Sequence, residues 1–151
     1  MRRAIEEAKK IHGRYGTDVT LITEELGLSV IEEDLEGRLR EVYFGDSIVI
    51  RRDLPEAEKR ELIAHAIGHH LLHAGNHLAM QNRVYSFGNY HERQANVFVA
   101  FLLMPEKELE DRLYEGIATA ELADAFEVNE SLAEFRLKLR TARQETVTEK
   151  S

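Results

Sequence analysis

The histidines of this chain are concentrated in one segment, which restricts the possible folds more than any other feature. Six of the seven lie between residues 65 and 91, and His65, His69, His73 and His77 follow one another at intervals of four. Side chains four residues apart lie one above the other on an α-helix, so two such imidazoles can bind one metal ion. Because the chain has no cysteine, only histidine and carboxylate groups are available to complete such a site. We therefore expect a helix with a metal-binding face.

The four evenly spaced histidines do not all fit one site. A spacing of four drifts by about 40° per step relative to the 3.6-residue turn, so only neighbouring pairs can share an ion. His65 and His69 form the pair that we prefer, and His69 with His73 is a geometrically possible rival. The pair of His73 and His77 is the weakest because Gly75 interrupts the helix between them. The ordinary alternative is a set of buried, hydrogen-bonded histidines on a helix packed against a sheet.

A third ligand is expected from the helix that follows. A zinc ion held by two histidines needs one more protein ligand, and its fourth position stays open in catalytic sites. Glu92, in the first turn of the next apolar helix, is the candidate, and His91 competes with it. A glutamate at this place is also favoured by the helix dipole without any metal. Gly68 has no side chain and would let another helix pack closely beside the histidine pair.

The residue after the first histidine is the unusual one. In the H-E-x-x-H motif of zinc peptidases, the glutamate after the first histidine acts as the general base. This chain has Ala66 at that position. Loss of a general base typically costs on the order of 10²–10⁴ in rate, whereas the ligands are unchanged. The sequence therefore predicts a site that retains metal binding and lacks efficient turnover.

Periodicity and turn residues predict an α+β fold. Short segments rich in β-branched and aromatic residues predict three strands, separated by glycine-containing turns that favour a small antiparallel sheet. Apolar residues at helical spacing predict the histidine helix after Pro55 and several others, with a loop over residues 76–89. The predicted strands are Leu28–Ile31, Leu39–Phe44 and Ser47–Arg51, and the predicted helices cover residues 4–12, 18–26, 56–74, 90–104, 106–114, 120–126 and 130–140.

Composition indicates a single domain of residues 1–151, with a helical hairpin at about 117–140 and a frayed polar tail at 141–151. The net charge of −8 argues against a broad electrostatic contact with DNA, and the stretch from Glu121 to Glu134 has five acidic residues and no basic one. We expect the hairpin to pack on the core or to bind a protein, so direct DNA binding is disfavoured. The chain shows no membrane span and no apolar signal segment, so we expect a cytoplasmic location.

Two blocks of the sequence resemble the ImmA/IrrE-type metallo-endopeptidases. Residues 64–73 read A-H-A-I-G-H-H-L-L-H, similar to the family's A-H-E-L/I-G-H-x-L-L-H, and residues 92–105 read E-R-Q-A-N-V-F-V-A-F-L-L-M-P, similar to E-x-x-A-N-x-F-A-x-x-L-L-M-P. The resemblance covers about residues 17–113 and implies a small zincin-like domain. It also implies that His65, His69 and Glu92 bind Zn²⁺, and that the partner is a transcriptional regulator, such as a helix-turn-helix repressor of a mobile element.

The family's catalytic glutamate has no counterpart here, and three explanations of Ala66 stay open. The chain is an engineered inactive variant, a natural pseudo-peptidase that binds without cutting, or an enzyme that uses another base. Glu61, one turn before His65, and His70, one turn after Ala66, are the candidates for another base, and His70 is preferred.

Three functions follow. The first is a zinc-dependent metallo-endopeptidase acting on a repressor-like regulatory protein, inactive or strongly impaired by Ala66. The second is a pseudo-peptidase or protein-binding regulatory module without proteolysis. The third and least favoured is a helix-turn-helix transcriptional regulator.

Overall fold

Seven helices and three strands make up the part of the chain that the structure describes. The computed structural model describes the backbone of residues 1–73 and 89–150, and the side chains of the same residues except Asn89 and residues 141–150. Residues 74–88 are outside the described part of the chain, and they include His77, the predicted helix end at Gly75 and most of the predicted loop. The last residue of that loop, Asn89, is the first residue of α4. The elements are α1 (Arg2–Tyr15), α2 (Val19–Leu26), β1 (Ser29–Glu33), β2 (Glu41–Phe44), β3 (Ser47–Arg51), α3 (Glu56–Leu72), α4 (Asn89–Leu103), α5 (Glu106–Tyr114), α6 (Thr119–Phe126) and α7 (Glu130–Lys150).

Helix α4 is the centre of the main core. Its last two turns are apolar on all sides and almost fully buried, as expected for a helix surrounded by other elements. Helix α1 contributes Ala4, Ala8 and Ile11, which share one face at helical spacing and belong to the same core. Helix α3 contributes Ala64, Ile67 and Leu72. The histidine helix thus packs against α1, α4 and strand β3 of the sheet.

The sheet is mixed, so the predicted all-antiparallel pairing is wrong for β1. Strands β2 and β3 pair antiparallel through the turn at Gly45, which has φ 62°, but β1 pairs parallel to β3 and the order is β1-β3-β2. The short turn makes β2 and β3 neighbours. Strand β3 buries Ile48 and Ile50 and takes the centre, while all five residues of β1 are exposed, as suits an edge strand.

The ends of the helices are fixed largely as expected. Helix α3 begins directly after Pro55, and the carbonyl of Leu72 in its last turn accepts a hydrogen bond of 3.0 Å from Arg3 of α1. The N-cap of α2 is Asp18, whose side chain accepts a hydrogen bond from the Leu21 amide, so the expectation of a helix that includes Asp18 is one residue too long.

The C-terminal hairpin packs on the core, as the sequence suggested. Leu122 of α6 and Ala133 of α7 are fully buried in the main core. Arg136 is 2% exposed, donates a hydrogen bond of 3.0 Å to the Met104 carbonyl, and lies 3.8 Å above the Phe101 ring. Helix α7 continues from Glu130 to Lys150, beyond the predicted end at residue 140, and the fraying of the tail stays a prediction. The division into a single domain stays a prediction.

Gly68 allows the close approach of α3 and α4, as its position in the sequence predicts. A Cβ atom at this position would lie 2.9 Å from Cδ1 and 3.3 Å from Cγ of Phe98, which is fully buried. We expect Gly68→Ala to lower the free energy of unfolding by about 1–2 kcal/mol, because the clash outweighs the higher helix propensity of alanine. Urea denaturation of the purified variant measures this change.

Gly13 provides the matched control for this prediction. It lies in α1, is exposed, and has nothing within 4 Å of the place that an added methyl group would take. Gly13→Ala should therefore raise the free energy of unfolding by about 0.5–1 kcal/mol through propensity alone. If both substitutions stabilise the chain, the close contact between Gly68 and Phe98 is contradicted.

Candidate metal centre

Three residues that the sequence singled out lie together at the contact of α3 and α4. His65 and His69 project from successive turns of α3, and Glu92 projects from the first turn of α4 between them. Glu92 Oε2 lies 2.9 Å from His65 Nε2, and Glu92 Oε1 lies 3.0 Å from His69 Nε2. One donor atom from each residue lies within 4.8 Å of the other two. The two imidazoles and the carboxylate therefore converge on a single point.

Strand β2 adds two polar side chains behind His65. The Tyr43 hydroxyl lies 3.2 Å from His65 Nδ1, and Glu41 Oε1 lies 3.7 Å from the same atom. Tyr43 is 5% exposed, and Glu41 lies two residues earlier on the same face of β2. Both ring nitrogens of His65 thus face polar groups, one towards Glu92 and the other towards β2.

The charges of the site are strongly coupled. The hydrogen bond with His65 holds the pKa of Glu92 below its usual value. Burial acts to lower the pKa of His65, but the hydrogen bond with Glu92 and the charge of Glu41 outweigh it, so this pKa is raised. Burial, together with the charge of His65, lowers the pKa of His69 to about 3. The hydrogen bond between His65 and Glu92 thus shifts the two pKa values in opposite directions.

The two rival histidines lie beside the cluster. The His73 ring packs against the His91 ring at a centroid distance of 4.2 Å, with the two planes tilted by 40°, and His73 Nε2 lies 3.3 Å from the His91 carbonyl oxygen. The rings of His69 and His73 are 5.2 Å apart, against 4.5 Å for His65 and His69. The structure thus brings the preferred pair together with Glu92, and places His91 against His73.

The residues discussed as substitutes for the missing base occupy different surroundings. Ala66 is 2% exposed and packs with Tyr43 against the buried side of the sheet. Glu61 accepts hydrogen bonds from the side chain and the backbone amide of Asn129, at 2.5 and 3.4 Å, and so ties α3 to the start of α7. His70 is half-buried and is not part of the cluster of His65, His69 and Glu92. Its role as a base stays a prediction.

An open cleft of about 420 Å³ gives access to the cluster. Glu41 of β2 and Glu61 of α3 lie along it, and α7 supplies the apolar side chains of Leu132 and Phe135. The C-terminal hairpin therefore forms one wall of the cleft. The complete lining comprises Arg40, Glu41, Glu61, Leu62, His65, Glu92, Asn96, Val99, Ser131, Leu132 and Phe135.

The donor set is compatible with a divalent metal ion. Two imidazoles and one carboxylate are the ligands found in one class of catalytic zinc site, where ligand atoms about 2 Å from the ion lie roughly 3.3 Å from one another. The distances of 2.9 and 3.0 Å between Glu92 and the two histidines need only a small adjustment to reach this arrangement. The carboxylates of Glu92 and Glu41 supply negative charge that a cation would balance.

Comparison with known proteins identifies the family. The family model Peptidase_M78, described as the IrrE N-terminal-like domain, matches residues 23–138. The chain belongs to this family. The match supports the resemblance to ImmA/IrrE-type proteins, and it extends beyond the predicted limit at residue 113. In the structure this family domain therefore includes the C-terminal hairpin, which forms the wall of the cleft.

One curated relative covers most of the chain. The phage-like element PBSX protein XkdA of Bacillus subtilis (strain 168) is 31% identical over 144 residues, which cover 89% of this chain and 71% of that protein. This similarity supports the same family.

A solved structure shares the fold. A Mycobacterium tuberculosis transcriptional regulator superimposes with a TM-score of 0.68 at 20% identity, over 91% of this chain and 56% of that chain. The present chain thus spans about half the length of that protein. At this level of identity the likeness shows the α+β fold alone.

None of the helices in residues 1–73 and 89–150 combines the length and apolar character that a bilayer crossing needs.

Sequence reasoning missed Glu41 and Tyr43. Two residues apart on a strand, they share one face, and this spacing was the signal present in the sequence. The signal was insufficient because it does not tell which helix that face meets. Only the packing of β2 against α3 places both side chains at His65 Nδ1.

Proposed function

We propose that this chain is a zinc-binding domain of the metallo-endopeptidase type that engages a regulatory protein, with turnover strongly impaired by Ala66. The observation that carries the proposal is the convergence of His65, His69 and Glu92 at the base of an open cleft. The family model that matches the chain is also that of a peptidase family, Peptidase_M78.

Different residues of the site would bind the metal ion and the polypeptide. The Nε2 atoms of His65 and His69 and the carboxylate of Glu92 would hold the ion. Zinc, when bound, supplies Lewis-acid polarisation of a peptide carbonyl. The Leu132 and Phe135 side chains would hold an apolar part of the bound polypeptide. A methyl group at position 66 accepts no proton, so the site lacks the general base that peptide hydrolysis uses there.

A regulatory protein is the partner that fits best. The structural neighbour is a transcriptional regulator by its description, and this description favours a role connected with gene regulation. The hairpin beside the cleft exposes Glu121, Asp124, Glu127, Glu130 and Glu134. An acidic surface favours a basic partner, and DNA-binding proteins have basic surfaces.

A pseudo-peptidase is the second candidate, and Ala66 is the observation that favours it. In such a protein the metal centre would stabilise the domain, and the cleft would bind a partner without cutting it. Binding of the partner would then be the same with and without a glutamate at position 66. A DNA-reading function is disfavoured because the exposed side chains at the start of α7 include Glu130 and Glu134 and no basic residue.

Metal analysis of the purified protein tests the proposed centre. We expect one equivalent of zinc per chain after dialysis against metal-free buffer, because three converging ligands bind far more tightly than scattered surface histidines. His65→Ala and Glu92→Ala should each reduce the bound zinc to a small fraction of an equivalent. Inductively coupled plasma mass spectrometry measures the zinc content.

His12→Ala is the matched control, because His12 is the histidine outside the segment and lies on α1 near Glu108. This variant should retain the full equivalent of zinc. A wild-type chain without zinc after reconstitution, or equal retention in all variants, would contradict the proposed centre.

A further inference from the structure

We propose that Tyr43 and Glu41 are positioning residues that hold His65 as a ligand through its Nε2 atom, in a hydrogen-bonded relay from His65 to Tyr43 to Glu41. The inference rests on the proposed metal centre and extends it to two residues of β2. It states which side chains set the orientation and the proton position of the first histidine.

The geometry around His65 is the first step. Its Nε2 atom faces Glu92 at 2.9 Å, and its Nδ1 atom faces Tyr43 Oη at 3.2 Å. A neutral imidazole that offers the lone pair of Nε2 to an ion carries its proton on Nδ1. That N–H group needs an acceptor, because a buried donor without one costs free energy. Tyr43 Oη is in place to accept this hydrogen bond.

The second step concerns the group that accepts the hydrogen of the Tyr43 hydroxyl. An oxygen that accepts from His65 can still donate its own hydrogen to another group. Glu41 lies two residues earlier on the same face of β2, with Oε1 3.7 Å from the same Nδ1 atom of His65, and its carboxylate is the acceptor that the relay assigns to this hydrogen. A phenol hydroxyl is protonated at neutral pH, so in this relay Tyr43 donates to the Glu41 carboxylate. Each donor in the relay has one acceptor, and the negative charge at its end makes His65 a better electron donor.

The position of Glu41 argues against a purely structural role. Glu41 Oε2 is closed off from solvent and has no hydrogen-bond partner among the described residues. The cationic side chain of the adjacent residue, Arg40, hydrogen-bonds to Glu58 of α3. A carboxylate in such a place destabilises the fold. A glutamine or an apolar residue would fill the space with a smaller loss of stability, whereas a carboxylate is suited to a centre that holds a cation.

Strand β2 holds the side chains of Glu41 and Tyr43 in a fixed position relative to each other. Residues 41 and 43 point to the same side of β2, and β2 is tied to β3 through the pair of Tyr43 and Ile48. Ile48 is buried under α3 in the cluster that also contains Tyr43 and Ala66. The relay is thus built on a strand rather than on a loop, which keeps the hydroxyl at a fixed distance from the histidine.

Zinc affinity of Tyr43→Phe and Glu41→Gln tests the relay. Competition with a chromophoric chelator should show zinc binding about 10–100-fold weaker than in the wild type for each variant, as for lost outer hydrogen bonds at zinc sites. The double variant should be little weaker than Tyr43→Phe alone, because removing the middle of a relay also uncouples its end. The visible absorption bands of the Co²⁺-loaded protein should shift in both variants, since they report the ligand geometry directly.

Phe44→Tyr is the matched control, because Phe44 is on the same strand, is 59% exposed, and faces away from His65. Its zinc affinity and Co²⁺ spectrum should equal those of the wild type. Unfolding of the chelator-treated proteins in urea separates metal binding from folding.

Affinities within twofold of the wild type in both relay variants overturn the inference. So does a loss of metal-free stability that accounts for the whole loss of affinity. A wild-type chain that binds no zinc overturns the proposed centre and the relay with it, so the two failures are distinguishable.

Discussion

Ala66→Glu is expected to raise the rate of peptide cleavage by the zinc-loaded protein on the order of 10²–10⁴-fold. The substitution supplies a carboxylate next to His65, at the position where zinc peptidases have their general base. The ligands His65, His69 and Glu92 are unchanged, so the zinc content should stay the same. The measurement is mass-spectrometric profiling of a mixed peptide library, with the number and the rate of cleavages compared between the two proteins.

Ala66→Gln is the matched control, since glutamine has the shape of glutamate and no basic carboxylate. Both variants place a polar group beside Tyr43 and Leu62 in a cluster where Ala66 is 2% exposed. Each should therefore lose about 1–3 kcal/mol of stability. Zinc-loaded Ala66→Glu that cuts no more peptides than Ala66→Gln would favour the pseudo-peptidase over the impaired enzyme.

The second large effect concerns the acid stability of the metal-free chain. We expect the free energy of unfolding to fall by about 2–3 kcal/mol between pH 7.5 and 4.5 because of His69 alone. Burial and the charge of His65 lower the pKa of His69 from 6.5 to about 3. Between pH 6.5 and pH 3, His69 therefore binds more protons in the unfolded chain than in the folded chain. Stability from His69 is complete above pH 6.5 and is lost as the pH falls towards 3. Urea denaturation in the presence of a chelator measures it.

His69→Gln isolates this contribution, because His65 has the opposite sign. The raised pKa of His65 stabilises the fold below pH 6.5, and this stability is lost as the pH rises through the folded value. The difference in stability between the wild type and His69→Gln should shrink towards acid pH by the amount given above. The same slope in the wild type and in His69→Gln would mean that His69 is charged or exposed in solution.

Zinc should oppose this acid sensitivity near neutral pH. An ion bound to the folded state alone stabilises it by about 2.7 kcal/mol at a free concentration of one hundred times the dissociation constant. Because the ligands must be deprotonated, the benefit weakens as the pH falls.

Most of the helical architecture was predictable from the sequence. Apolar spacing placed α3 and α4 close to their observed bounds, because helical periodicity is a local property. The partners of β1 were not predictable in the same way. Its five residues are exposed and show no alternation between buried and exposed positions, so no local pattern indicated the parallel pairing with β3.

The candidate site was also predictable in part, because the spacing of residues along a helix is a local property. His65 and His69 share a helix face by their spacing, and Glu92 stands in the first turn of the next predicted helix. These three residues do lie together in the structure, while their binding of zinc stays a prediction. The polar residues behind His65 come from a strand more than twenty positions earlier, and no local pattern connects them with α3.

The sequence by itself determined the histidine spacing, the substitution at Ala66 and the missing side chain at Gly68, because each depends on residues within one or two helical turns. The tertiary structure alone decided that Tyr43 and Glu41 stand behind His65, and that Leu132 and Phe135 of the C-terminal hairpin form a wall of the cleft. These contacts join distant parts of the chain. They are set by how the faces of the sheet and the helices pack around α3 and α4, which short-range patterns do not specify.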